Sequence, residues 1–377
     1  MATRYQVRVL DQSGAQVALL TEWRSLEYTK RVNRVGNYTL TLDGDLDVVD
    51  SFVLDGQIEI LRRDIAASPS FGWTLDFEAL HRTTQRSTAQ NGLSTFLSIG
   101  RGYNDLLARR HVLYRASTAG ADKSGAGETV MKAYVNENAG PGAIAPRLFP
   151  AVTPGLTIQA DGGAGTAWEG AKSFRPLLST LTEIADATTV DFQVIGTGAA
   201  LFEFQAQARP IGVDRTNVGI DPATGLNASG NAPVVFSLEF GNMQSPSYSL
   251  IRNPEVTAAI VLGQGVEGSR EVIQRTSADI TDSPLNRVES VRNANEEAAT
   301  AGLNSVGDTL LEKLQARESF DFQVMQIPGL LYGRDYFLGD LVTARYKTIE
   351  RQKQIIGVNV NVTEGTETIT IEVGDVT

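Results

Sequence analysis

Three stretches of this sequence have residue types and spacings that could do chemistry. Gly263-Gln264-Gly265-Val266-Glu267-Gly268 matches GxGxxG, a pattern whose glycines allow a tight turn and close approach of a pyrophosphate to a helix N-terminus. The pattern needs a helix after it, whereas Arg270 to Arg275 alternates like a strand and no βαβ unit surrounds it, so a glycine-rich β-turn is the stronger reading. Gly120 to Gly125 has the spacing of a phosphate loop, but Ala126 stands where the phosphate-reaching lysine must be. Asp43, Asp45 and Asp47 resemble the start of a calcium loop. Val48 replaces the glycine such a loop needs and Leu54 takes the place of the bidentate glutamate, which leaves a solvated acidic turn.

The chain has 2 histidines and no cysteine. Thiolate metal sites, cysteine nucleophiles and disulfides are thereby excluded. A histidine-based triad would have to use His81 or His111, each in a strand-like setting where a surface or satisfied core histidine is the common case, and no GxSxG elbow is present. Carboxylate pairs for glycoside hydrolysis are plentiful among 44 Asp and Glu residues, yet nothing singles one pair out. Trp23, Trp73 and Trp168 could line a sugar site, though packing is the default role of such rings. No catalytic, cofactor-binding or metal-ligating residue is assigned, and no cofactor is expected.

The formal charge of -11 comes from 33 Lys and Arg against 44 Asp and Glu, with no dense basic run beyond Arg109-Arg110 and nearby Arg101. Tight phosphate binding needs clustered cations, so an ordinary nucleic-acid binder is disfavoured, whereas a surface that lets DNA pass without holding it is compatible. A hydrophobic fraction of 42% and a charged fraction of 20% are those of a globular protein. Length gives a soft prior of about two or three domains. Met1-Ala2-Thr3-Arg4-Tyr5 leads directly into alternating residues with no apolar leader, so export by a cleaved leader is not expected. The longest apolar run, Val256 to Leu262, falls far short of the roughly 18 residues of a membrane helix, and a soluble protein of intracellular or bacterial-virus origin is expected.

The elements that must position any site are mostly strands. Tyr5 to Leu10 and Val17 to Leu20 flank Ser13-Gly14, and Asn37 to Leu42 sets Tyr38, Leu40 and Leu42 against Thr39 and Thr41. Gln57 to Leu61, Leu75 to Thr84 and Leu93 to Ile99 follow, the last after the turn Asn91-Gly92. Closing such strands gives a first β-barrel domain over residues 1–110. Residues 111–208 read as an α+β insertion domain with Gly-rich loops between Arg115 and Lys172, helices over Glu128 to Asn138 and from Ser173 through Ile184, and a hairpin of Val190 to Ile195 with Ala200 to Gln205. Residues 209–233 read as a linker or arm.

Residues 234–377 then form a second β-barrel domain, with strands over Val234 to Phe240, Glu255 to Leu262, Phe320 to Met325, Leu341 to Arg345, Ile355 to Val362 and Thr368 to Val373, the last two turning about Glu364-Gly365. Ser283-Pro284 ahead of Val291, Ala294, Ala298, Leu303, Val306, Leu310 and Leu314 predicts one long helix near residues 284–316. The fold class is mainly β with α+β insertions.

One comparison within the chain outweighs any single element. Asp55-Gly56-Gln57-Ile58-Glu59-Ile60 precedes a long hairpin ending Thr95-Phe96-Leu97-Ser98-Ile99-Gly100; Gly339-Asp340-Leu341-Val342-Thr343-Ala344 precedes one ending Thr368-Ile369-Thr370-Ile371-Glu372-Val373-Gly374. By internal-repeat logic the two ends carry the same kind of β module.

At these residues a family resemblance enters. Leu26-Glu27-Tyr28-Thr29-Lys30-Arg31-Val32-Asn33-Arg34-Val35-Gly36-Asn37-Tyr38-Thr39-Leu40-Thr41-Leu42 resembles the opening of siphophage tail-tip hub proteins, a stretched strand followed by a polar loop and a β-strand. Leu93 to Arg110, with Gly100-Arg101-Gly102-Tyr103 before Leu106, Leu107, Arg109 and Arg110, is similar to their first-domain exit, and Tyr336-Phe337-Leu338-Gly339-Asp340-Leu341-Val342 and the late helix are also similar.

The resemblance implies two similar tube-type barrels with smaller domains between them and a homotrimer whose six barrels join the six-fold tail tube and line a DNA exit channel. Implied partners are a distal tail ring protein, the tail tube, a tape-measure protein, distal spike or fibre proteins, passing DNA and a host cell surface. The implied location is the virion tail tip, of a phage, prophage or gene transfer agent, after assembly in the bacterial cytoplasm. Because Thr377 follows the second module at once, no appended peptidase, lysin or fibre domain is expected. Two other readings stand beside it: a cell-wall or carbohydrate-degrading enzyme, from the tryptophans and acids, and a receptor-binding adhesin, from the Gly-rich loops.

Overall fold

The computed structural model describes residues 3–64, 72–113, 121–149, 155–295, 300–363 and 365–375. In chain order the first elements are β1 (Thr3–Leu10), β2 (Gln16–Leu20), β3 (Ser25–Arg31), β4 (Asn37–Asp43), β5 (Gln57–Asp64), β6 (Thr74–Thr88), β7 (Ser94–Gly102) and the short helix α1 (Asp105–Ala108). Next come β8 (Asp122–Ala126), α2 (Gly127–Asn138), β9 (Leu156–Ile158), β10 (Ala167–Ala171), α3 (Leu177–Thr188), β11 (Val190–Gly198) and β12 (Leu201–Ala208). The remainder is β13 (Val235–Ser237), β14 (Met243–Ile251), β15 (Ala258–Leu262), β16 (Val272–Thr276), β17 (Glu289–Asn293), α4 (Thr300–Lys313), β18 (Arg317–Val324), β19 (Leu341–Tyr346), β20 (Ile349–Thr363) and β21 (Thr366–Gly374). The fold is mainly β, with several sheets.

The chain divides into two compact units, Met1–Gln244 with Gln323–Thr377, and Ser245–Phe322. The first is organised by an 11-stranded sheet in the order β13-β19-β20-β3-β4-β7-β6-β5-β1-β2, with β21 also on β20. Strands from the two chain ends meet along one seam, where β20 pairs with β3: Tyr28 of β3 lies opposite Val360 of β20 on one side and Tyr38 of β4 on the other. Period-2 patterning drives this, since Tyr38, Leu40 and Leu42 are all buried along β4 and alternate with half-buried threonines. Each large apolar side chain so buried contributes about 1.5–3 kcal/mol.

Within the same unit, α2 and α3 pack on the small sheet β11-β12-β9 around Met131, Tyr134, Leu181, Ile184, Phe192 and Phe204, all fully buried. Glu128 at the start of α2 accepts the N–H groups of Gly162 at 2.8 Å and Ala164 at 2.7 Å and pairs with Lys132, which pins the loop before β10. The helix predicted from Ser173 begins instead at Leu177, directly after Pro176; Ser173 Oγ accepts the N–H of Ala121 at 2.9 Å and caps nothing. Residues 209–233 contain no helix or strand, yet they are held down. Val213 N–H and Arg215 Nε both donate to Asp340, at 2.9 Å each, and Asn227 donates to the Asp214 carbonyl at 2.9 Å.

In the second unit, β15 lies between antiparallel β16 and parallel β17, and α4 packs on β15 and β16. Gly307 permits this approach, because a Cβ there would lie 2.6 Å from Arg275 Cγ and 3.2 Å from Val261 Cγ2. The long helix predicted near 284–316 is corrected. Ser283 and Pro284 close a turn, with Asn286 N–H on the Ser283 carbonyl at 3.0 Å, and Val291 lies on β17 opposite Ile260. The β-branched Val291 fits a strand that β15 completes, and helix is described only from Thr300. Ala298 lies outside the described residues, as does Glu364 of the predicted terminal turn.

Candidate functional site

Each chain end carries the same backbone clasp. Asp55 N–H donates to the His81 carbonyl at 2.9 Å and His81 N–H to Gly56 at 2.8 Å; Gly339 N–H donates to Ile355 at 2.8 Å and Ile355 N–H to Asp340 at 2.9 Å. Register runs alike from each clasp. Gln57, Ile58, Glu59 and Ile60 oppose Leu80, Ala79, Glu78 and Phe77, and Leu341, Val342, Thr343 and Ala344 oppose Gln354, Lys353, Gln352 and Arg351. One residue then bulges in each long strand, Arg82 in β6 and Ile356 in β20. Beyond it the hairpins zip from Thr83 opposite Ile99 to Thr88 opposite Ser94, and from Gly357 opposite Glu372 to Val362 opposite Glu367.

A buried polar network ties these strands together. Asp76 on β6 accepts the Tyr28 hydroxyl at 2.5 Å, Lys30 Nζ at 2.7 Å and the Tyr332 hydroxyl at 3.0 Å. Arg62 on β5 donates to Glu367 of β21 at 2.8 Å, to the Tyr5 hydroxyl at 3.1 Å and to the Tyr332 carbonyl, while Tyr5 also donates to Glu367. Burial pushes the Asp76 carboxyl up, but the Lys30 ammonium, the Tyr28 hydroxyl and Arg62 outweigh it and hold its pKa below the ordinary range. Burial raises the phenols of Tyr5, Tyr28 and Tyr332, so they remain hydrogen-bond donors.

A second lock centres on fully buried Asp191 of β11. Its carboxylate accepts Asn33 Nδ2 at 2.8 Å, Arg209 Nε at 3.0 Å, Ile211 N–H at 3.1 Å and Gln354 Nε2 at 2.6 Å, joining the α+β segment to β20 and to the β3–β4 turn. Nearby, a cleft of about 280 Å³ is lined by Lys30, Arg34, Glu78, Asn104, Gln193 and Phe337 among others. Burial pushes the Glu78 carboxyl up to about 7; the Gly196 N–H works against this and Glu59 with it.

The residues with chemical spacing do not converge. Gly263–Gly268 links β15 to antiparallel β16, so a hairpin stands where a dinucleotide site needs a helix. Asp43 accepts Arg24 at 3.0 Å and the Asp45 N–H at 3.1 Å in an exposed turn. Gly125 and Ala126 lie on β8 paired with β10, and Gly120 is outside the described residues. His81 is a core histidine bonded to Ser98 Oγ and Thr84 Oγ1, both at 2.8 Å, and burial with the neighbouring Arg82 lowers its pKa.

His111 forms a bridge with Pro176. Trp168 packs edge-on to Tyr134, and Trp23 and Trp73 are half-buried. Arg101 and Arg109 are both paired with Asp105, at 3.0 and 2.8 Å. Among the described residues no group of His, Asp or Glu could hold a metal ion, and no helix is long and apolar enough to cross a membrane. What sequence reasoning missed are the two buried locks, whose members come from distant strands and share no local motif.

Solved structures share this fold. The chain is similar to the 43 kDa tail protein of prophage MuSo2 from Shewanella oneidensis, with TM-score 0.56, 11% identity and coverage of 99% of this chain and 98% of that one. It is similar to prophage tail protein gp18 from Listeria monocytogenes EGD-e, with TM-score 0.51, 11% identity and coverage of 98% and 94%. A chain of the lidded Francisella PdpA-VgrG complex matches with TM-score 0.56 and 9% identity over 99% of this chain and 52% of that one. No curated protein matches. The family described as Siphovirus ReqiPepy6 Gp37-like protein matches residues 6–375. The resemblance to siphophage tail proteins drawn from Leu26–Leu42, Leu93–Arg110 and Tyr336–Val342 is borne out. With a family match over nearly its whole length and a fold shared with phage tail proteins, this chain belongs to the Siphovirus ReqiPepy6 Gp37-like protein family.

Proposed function

We propose that the chain is a structural, non-catalytic virion protein, the homotrimeric central hub at the tip of a phage or phage-derived tail. The observation that carries this reading is the shared clasp, bulge and register of residues 53–102 and 337–374. We take each as part of one of two similar β-barrel domains, residues 1–110 and 234–377, with the α+β segment 111–208 between them and 209–233 as connector. Three chains then offer six equivalent walls around one axis, which matches a six-fold tail tube on one side and three-fold tip components on the other. The distal tail ring protein, tail tube, tape-measure protein and distal spike or fibre proteins are its neighbours in this arrangement.

A net charge of -11 suits a channel wall that DNA crosses without sticking, since a basic wall would hold phosphates by counterion release. The test is native mass spectrometry with negative-stain imaging of the purified protein. A trimer with a central pore is expected. Monomer alone up to the highest soluble concentration, with no ring when the upstream tail ring protein is added, overturns the proposal.

A further inference from the structure

The two matched hairpins differ along their outer edges. In the C-terminal one, β20 carries β21 on one side and β3 on the other, with Gly357 opposite Arg31 and Thr363 opposite Ser25. In the N-terminal one, the corresponding stretch of β6 from Thr83 to Thr88 carries β7 on one side and, among the described residues, no strand on the other. Every side chain from Arg82 to Thr88 is exposed. A row of outward N–H and C=O groups of this kind is a template for another strand.

The internal repeat names the strand that fits. On β20 the position is filled by β3, first strand of the β3–β4 hairpin that precedes β5-β6-β7 in the chain. Ahead of β19-β20-β21 the same place in chain order is held by β14 and β18, which pair with each other and with no third strand among the described residues. Among the described residues of one chain, then, β14 lacks the neighbour that β3 has, and β6 lacks the neighbour that β20 has. β14 carries no charged side chain, so it meets Arg82 and Arg86 without like-charge repulsion. Pro246 offers no N–H, which places the pairing after it, from Ser247 to Ile251.

We infer that β14 of a second copy of this chain adds antiparallel to the free edge of β6, over Thr83 to Thr88, as β3 adds to β20. This rests on the homotrimeric reading and specifies the contact through which its copies join. Main-chain hydrogen bonds supply the adhesion, and the repeat supplies the address.

The chain has no cysteine, so cross-links can be placed on a clean background. Thr84→Cys or Gln85→Cys would be combined with Ser247→Cys or Ser249→Cys, oxidised mildly, and read on non-reducing gels beside native mass. A covalent ladder ending at trimer in at least one pair, reversed by reductant and absent from each single-cysteine variant, is expected. A trimeric native mass with no cross-link in any pair overturns this contact and leaves the hub reading intact. Monomer throughout, without cross-links, overturns both.

Discussion

Asp55 and Gly339 occupy one backbone position in two halves of the chain, each in the left-handed region, with φ of 58° and 91°. Aspartate is among the few L-residues that visit this region, and Asp55 also accepts Arg82 at 2.8 Å and Arg109 at 3.0 Å. At Gly339 no side chain fits: a Cβ would lie 2.5 Å from Ile211 Cγ2 and 2.9 Å from the Gly212 nitrogen. Gly339→Ala is therefore expected to cost about 2–4 kcal/mol by urea unfolding, from strain and crowding together. Gly365→Ala, where φ is 76° and nothing lies within 4 Å, is the control and should cost only about 1 kcal/mol. Equal losses would mean that the crowding at Gly339 is relieved by movement.

The Asp76 network gives a test of how the chain ends are held together. Asp76→Asn leaves Lys30 without a buried carboxylate and should cost about 3–5 kcal/mol, whereas adding Lys30→Met should recover more than half of that loss. Because the folded pKa of Asp76 is depressed, its contribution is present above the ordinary carboxylate value and is lost as pH falls through the folded one. The variant should thus show a flatter stability profile below about pH 4. A double variant as unstable as the single one would rule out the pairwise account.

Glu78 has the opposite sign. Its folded pKa is raised to about 7, so the stability it contributes is full below the unfolded value and disappears as pH rises through 7. Glu78→Gln keeps an acceptor for Gly196 and should stabilise the protein at pH 8 by roughly 2 kcal/mol while changing little at pH 4. Thermal melts across that range decide it, and an equal shift at both pH values would contradict the assignment.

Asp191→Ala removes one carboxylate from four donors, including Arg209, which is itself largely buried. A loss of about 3–5 kcal/mol is expected. Hydrogen exchange should accelerate first at the Ile211 amide, which donates directly to Asp191, and leave β15 and β16 of the second unit unchanged. Uniform acceleration across both units would argue against a local lock.

Much of the strand framework was legible because a half-buried strand writes its period into the sequence. Tyr38, Leu40 and Leu42 alternate along β4, and Asn91-Gly92 marks the β6–β7 turn. The helix near 284–316 misled because Val291 satisfies helical spacing with Ala294 as well as strand preference, and only pairing with β15 decides between them. The buried locks were not legible at all. Arg62 and Glu367 are 305 positions apart and Lys30 and Tyr332 are 302 apart, so no local window contains both partners.

The placement of β3 against β20 has a consequence for biosynthesis. Asn359 bonds Glu27 across 332 positions, so in a nascent chain growing at about 5–20 residues per second the outer edge of β3 waits roughly 20 to 60 s for the strand that pairs with it. Over that interval β3 presents unpaired N–H and C=O groups on one edge, a template for a wrong strand. The sheet therefore closes only once the C-terminal strands exist, and shielding the β3 edge until then favours correct pairing.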